Sequence, residues 1–108
     1  MNAREIIEEQ IPIALKKKPE LVTDINAVIH WNITGPGGGT WTMDLTRDTE
    51  WISKDFQGVP ALTVTMSNDD FVLLRQGRLN GMMAVMNGKL KFTPMNLGLA
   101  MKVAKLLS

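Results

Sequence analysis

Nucleophilic catalysis needs a nucleophile, a base within reach and a group that orients the base. Few residues of this chain can take those parts. Its single histidine, His30, falls on the polar side of an alternating segment, with no partner pattern around it. The serines are Ser53, Ser67 and Ser108. Ser67 precedes Asp70 by three residues, the spacing of a helix N-cap, and no G-x-S-x-G elbow surrounds any of them. There is no cysteine, which excludes a thiol nucleophile, a disulfide scaffold, a zinc finger and an iron–sulfur cluster together. One imidazole also excludes a histidine-rich metal site. The carboxylate pairs Glu8-Glu9 and Asp69-Asp70 lie at helix starts, where negative charge favours the helix dipole. No catalytic residue, metal or cofactor is expected, and the chain reads as a non-enzyme.

Two other groupings invite a functional reading. Gly35-Pro36-Gly37-Gly38-Gly39 resembles a phosphate loop in composition, but it joins two strands. A phosphate loop opens a helix whose N-terminus meets the anion, so a hairpin turn is the expectation. The second grouping is methionine: of eight in the chain, Met82, Met83, Met86, Met95 and Met101 all follow Gly81. Unbranched, polarizable thioethers can coat a space that accepts apolar guests of differing shape, and a core of such soft side chains specifies itself poorly.

The elements that would position these residues follow from hydrophobic period. Asn2 and Glu5 have capping-box spacing, and Ile6, Ile7, Ile11 and Ala14 trace one helical face, with a bend or restart at Pro12 and an end at Lys16–Pro19. From Ile25 the period becomes two: Ile25, Ala27, Ile29, Trp31 and Ile33 share a side. After the glycine turn, Thr40–Leu45 alternates with Trp41, Met43 and Leu45 inward. A weaker strand is expected near Glu50–Lys54 and another at Ala61–Met66. Ser67 then caps a helix over Asn68–Gln76 that ends at Gly77, and Asn80 caps a short one through Met86 that ends at Gly88. A strand at Lys89–Thr93 precedes a final helix, Asn96–Leu107, whose apolar residues exceed one stripe. This order predicts an α+β fold, with a sheet and helices on one face.

The chain has 108 residues, 44% hydrophobic and 21% charged, which predicts one folded domain over residues 1–108. Net charge is +1, from 12 basic and 11 acidic residues. The distribution is uneven, because Arg75, Arg78, Lys89, Lys91, Lys102 and Lys105 follow Asp70 and no acidic side chain does. Such an excess draws anions, free or in lipid head groups, so contact with an anionic membrane surface is an expectation. These cations are scattered over several elements without a binding motif, and nucleic-acid binding is not expected. The N-terminus lacks the apolar stretch of a signal peptide. A cytoplasmic location is expected, and the Asn32-Ile33-Thr34 sequon is then incidental.

Several stretches together resemble the sterol carrier protein 2 family. They are Met66-Ser67-x-x-Asp70-Phe71, Gly77-Arg78-Leu79-Asn80, Met86-x-Gly88-Lys89-Leu90-Lys91 and Gly98-Leu99-Ala100-Met101-Lys102, with looser similarity upstream through Ile25–Ile29, Trp41 and Leu62–Met66. The resemblance implies a five-stranded, mostly antiparallel sheet covered on one face by helices, enclosing an apolar tunnel for a fatty acid, fatty acyl-CoA, sterol or phospholipid. It also implies that the last helix borders the tunnel. Three features depart from the pattern: a longer link, Phe92–Leu97, containing Pro94; Gly81 where proline is common; and Arg75 at a usually apolar position. Ending in Leu106-Leu107-Ser108 without a peroxisomal S-K-L signal, the chain resembles free-standing, prokaryotic-type members.

On this basis the expected function is non-catalytic binding, and transfer, of a long-chain lipid. Expected lining residues are Trp31, Met43, Val64, Phe71, Leu74, Met82, Met83, Met86, Phe92, Leu99, Met101, Val103 and Leu106. Arg75, four residues after Phe71 on the same helical face, is the head-group candidate. The alternative is an interaction module that docks a partner enzyme through its sheet face or its methionine-rich helices. Oligomeric state is not legible.

Overall fold

The computed structural model describes residues 1–107; Ser108, which closes the Leu106-Leu107-Ser108 terminus, lies outside the described residues. Five strands form one mixed sheet in the order β3-β2-β1-β4-β5: β1 (Val28–Thr34), β2 (Gly39–Asp44), β3 (Ile52–Lys54), β4 (Leu62–Ser67) and β5 (Lys91–Thr93). All neighbours are antiparallel except β1 and β4, which run parallel. The expected α+β architecture is present, with the helices gathered on one face.

The glycine segment is the β1–β2 hairpin turn, bringing Ile33 opposite Gly39. Gly38 shows why the turn demands glycine: a Cβ there would lie 2.2 Å from the Ile33 carbonyl oxygen, closer than any side chain tolerates. Alternation then works as the period of two dictates. Ile29, Trp31, Ile33, Trp41, Met43, Leu62, Val64 and Met66 are all buried, and the strand registers place them in rows on the helix side.

The other face is crossed by the segment leading from β3 to β4. Phe56 stacks on His30 at 4.4 Å between ring centroids, and His30 Nε2 lies 2.9 Å from the Gln57 carbonyl oxygen. The Thr42 hydroxyl donates to the Asp55 carbonyl and accepts from the Gln57 amide, both at 2.8 Å. His30 is thus a buried structural residue of a loop anchor.

On the helix side, α1 runs over residues 3–17 and contains a π turn at Ile6–Gln10 directly before Pro12. Proline removes an amide donor and its ring crowds the carbonyl four residues earlier. The wider π turn is the form the expected bend takes. Ala3, Ile6, Ile7, Ile11 and Leu15 are almost wholly inaccessible.

A second helix, α2 (Glu20–Ile25), follows where alternation alone predicted the start of a strand. Ile25 is therefore the last helical residue. Asn26 ends the helix in the left-handed conformation at φ 40°, which asparagine tolerates better than most residues. The strand begins only at Val28.

The remaining helices are α3 (Asn68–Arg75), α4 (Gly81–Met86) and α5 (Leu97–Ala104). Ser67 and Asn80 are the expected caps, the Ser67 hydroxyl accepting from the Asp70 amide and Asn80 from Met83, and Asn96, expected as the first residue of the last helix, instead caps it by accepting from Leu99, all at 3.1 Å. The last helix is shorter than its apolar pattern suggested, giving way to turns from Lys105. No described helix is long and apolar enough to cross a membrane.

Candidate functional site

A cavity of about 840 Å³ lies between the sheet and the three late helices. This is toward the upper end of the ~300–1,000 Å³ common for small-molecule sites. Its floor is the row Trp31, Val64 and Phe92, contributed by β1, β4 and β5 in register. One wall is the end of α3 and its turn, with Leu74, Gln76, Gly77 and Leu79. A second is α4 with Gly81, Met82 and Val85, continued by Leu90. The third is α5 and the tail, with Leu97, Ala100, Met101, Val103, Ala104 and Leu107.

The space exists because short helices cover this part of the sheet. Gly77 and Gly88 adopt φ +74°, ending α3 and closing α4 after six residues. Neither helix is long enough to lay a continuous apolar ridge across β4 and β5.

The lining is apolar except at one end, where Arg75, Gln76 and Lys105 stand. Arg75 donates from Nε to the Gln10 side-chain oxygen at 2.9 Å, so a residue of α1 holds the guanidinium in place. Arg75 and Lys105 also line a second, smaller hollow of about 280 Å³ beside Gln10, Lys17 and Lys18. Inside the main cavity no acid, base and nucleophile converge. Among the described residues no cluster of three or more His, Asp or Glu side chains suits a metal ion.

One buried polar side-chain atom among the described residues is without a partner. The indole Nε1 of Trp31 is the buried side-chain nitrogen or oxygen, among the described residues, that makes no hydrogen bond. Its ring packs on Phe71 at 5.6 Å between centroids.

Of the residues expected to line a tunnel, Trp31, Val64, Leu74, Met82, Phe92, Met101 and Val103 are brought together here, with Arg75 beside them. Met43 and Phe71 are buried in the packed core. Leu99 packs against that core, and Leu106 faces the smaller hollow. Met83 and Met86 point outward. All five late methionines, Met82, Met83, Met86, Met95 and Met101, are more than half exposed, including Met82 and Met101, which also border the cavity. The positions missed, such as Leu79, Val85, Leu90, Leu97, Ala100 and Leu107, are ordinary apolar residues with no local mark to separate wall from core.

The sequence profile of the SCP-2 sterol transfer family matches residues 7–108. This chain belongs to that family. Human sterol carrier protein 2 is 38% identical over 105 residues, covering 94% of this chain and 19% of the human protein. The chain likewise spans about a fifth of the hydroxysteroid dehydrogenase-like protein 2 relatives it matches, among them the mouse protein. Among solved structures, sterol carrier protein domain 2 of Helicoverpa armigera superposes with a TM-score of 0.78 at 25% identity, over 95% of this chain and 83% of that one. A palmitated SCP2L2 from Aedes aegypti shares the fold, with a TM-score of 0.75 at 24% identity over 99% and 95% of the two chains.

Proposed function

We propose that this chain is a non-catalytic lipid-binding module whose cavity takes up the tail of a long-chain lipid. The observation that carries the reading is an 840 Å³ apolar space built on the row Trp31, Val64 and Phe92, in a member of the SCP-2 sterol transfer family. Burial of hydrocarbon supplies the affinity. At ~0.8 kcal/mol per methylene, a sixteen-carbon tail contributes ~12 kcal/mol gross, against association costs that begin at ~4 kcal/mol.

Arg75 receives the head group of an acid. Gln10 already orients its guanidinium, which lowers the ordering cost of a charge-assisted bond. The exposed methionines beside the cavity present an apolar rim to the membrane from which a lipid enters, with transfer as the consequence.

Titration calorimetry of delipidated protein with palmitate and with hexadecanol tests this. Saturable binding of both, with palmitate losing its advantage in Arg75→Ala, is the expected result. No binding of either would remove the lipid-binding reading, and an unchanged acid-to-alcohol ratio would remove Arg75 from its role.

A further inference from the structure

The methionines of the chain fall into two sets. Met43 on β2 and Met66 on β4 are sealed in the core, at 0% and 2% exposure. Met82, Met83 and Met86 on α4, Met95 in the link after β5 and Met101 on α5 are 54% to 76% exposed. Met1 is exposed too, but it does not line the cavity. Helix formation does not ask for methionine at such positions, because leucine, lysine and glutamine serve a helix equally well. What an exposed methionine adds is a thioether within reach of oxidants. The chain has no cysteine, so no thiol of its own competes for them.

We propose that Met82 and Met101 are an oxidation site through which hydrogen peroxide turns lipid binding down. The inference rests on the lipid-binding reading. These two line the main cavity, one on each of two walls, while the same side chains remain 76% and 61% exposed. Each therefore has one side on water, where peroxide arrives, and another on the space for the tail. The sulfur donates an electron pair to one peroxide oxygen as the O–O bond breaks and an S–O bond forms. The transferred oxygen passes its proton to the departing hydroxide, which leaves as water; sulfur is oxidised by two electrons and the peroxide is reduced. The product is a polar, chiral sulfoxide in place of a flexible apolar group. Its oxygen is hydrated at the rim, and a hydrocarbon tail seated against it displaces that water without offering a donor in return. Reduction needs one reductase type for each sulfoxide epimer, and both side chains stand open to such an enzyme.

The test treats the delipidated full chain with hydrogen peroxide, reads the modified residues by peptide mass spectrometry and measures palmitate affinity by calorimetry. Met82 and Met101 should take up oxygen while Met43 and Met66 stay unmodified, and affinity should fall about tenfold. Treatment with both methionine sulfoxide reductases should restore it. Each variant is compared with its own unoxidised form, so any effect of the substitution itself drops out. The peroxide effect should vanish in Met82→Leu/Met101→Leu and persist in Met83→Leu/Met86→Leu/Met95→Leu. Unchanged affinity after full oxidation of Met82 and Met101, or an equal loss in the double variant, would overturn the site and leave the lipid-binding reading standing. Failure of the unoxidised chain to bind palmitate would instead strike the lipid-binding reading, and the oxidation site with it.

Discussion

One row of side chains crosses the helix side of the sheet: Trp41, Trp31, Val64 and Phe92, neighbours by strand register. Its two ends live in different surroundings. At Trp41 the row is covered by α1, fifteen residues of continuous helix whose Ile6, Ile7 and Ile11 are inaccessible, and the indole donates to Glu8 at 2.7 Å. At Phe92 the row is roofed by α4 and α5, six and eight residues long, and 840 Å³ of space remains. β-Branched side chains on a long helix fill the groove they face and hold one conformation. Short helices separated by glycine turns, with methionines turned outward, do not. The same sheet therefore serves as the floor of a solid core and the floor of a cavity, according to the helices laid over it.

The contrast is broken most directly by removing side chains. Ile11→Ala takes atoms from the filled end, where nothing can collapse into the gap, and should cost about 3 kcal/mol of unfolding free energy. Met86→Ala, at an exposed position of the other end, should change stability by less than about 0.5 kcal/mol. Urea denaturation with a constant slope checks both. Comparable losses would mean that the two ends are packed alike.

Adding side chains sharpens it from the opposite direction. Ala3 and Ala100 are both buried alanines, but only Ala100 borders the cavity. Ala3→Leu should destabilise by about 1–3 kcal/mol through overpacking. Ala100→Leu should cost little or stabilise, because its added methyl groups enter open space, and it should weaken palmitate binding about tenfold. Thermal unfolding and calorimetry on the two variants separate the outcomes. A destabilised Ala100→Leu would mean that the cavity wall has no room.

Much of this division was legible in the residues. The capping side chains Asn2, Ser67 and Asn80, the turn at Gly35–Gly39 and the inward set Ile29, Trp31 and Ile33 all follow local rules of spacing, and the structure obeys them. Ile25 misled because an apolar residue at the end of α2 lies two positions from the next, continuing the strand period by chance. The methionines misled for a different reason. Hydrophobicity predicts that a side chain leaves water, whereas Met83, Met86 and Met95 sit where the short elements have no more surface to offer them. The walls of the cavity were hardest to see, because Leu90 or Ala100 becomes a wall only through the absence of a neighbour, which no local pattern records.

The smallest effect tests the row itself. Trp41 and Trp31 stand side by side, equally buried, yet one indole N–H has a carboxylate partner and the other has none. Trp41→Phe therefore breaks a charge-assisted bond as well as losing volume. Trp31→Phe loses volume next to a space that already exists and removes a buried donor that was unsatisfied. Leaving a buried donor unpaired costs about 1–3 kcal/mol, and a bond to a charged group contributes about 1.5–3 kcal/mol when well shielded. Glu8 is partly open to water, which reduces its share. Trp41→Phe should then be the less stable variant by about 1 kcal/mol in urea denaturation. Equal stabilities would mean that the Glu8 bond contributes nothing measurable and that packing alone distinguishes the two ends.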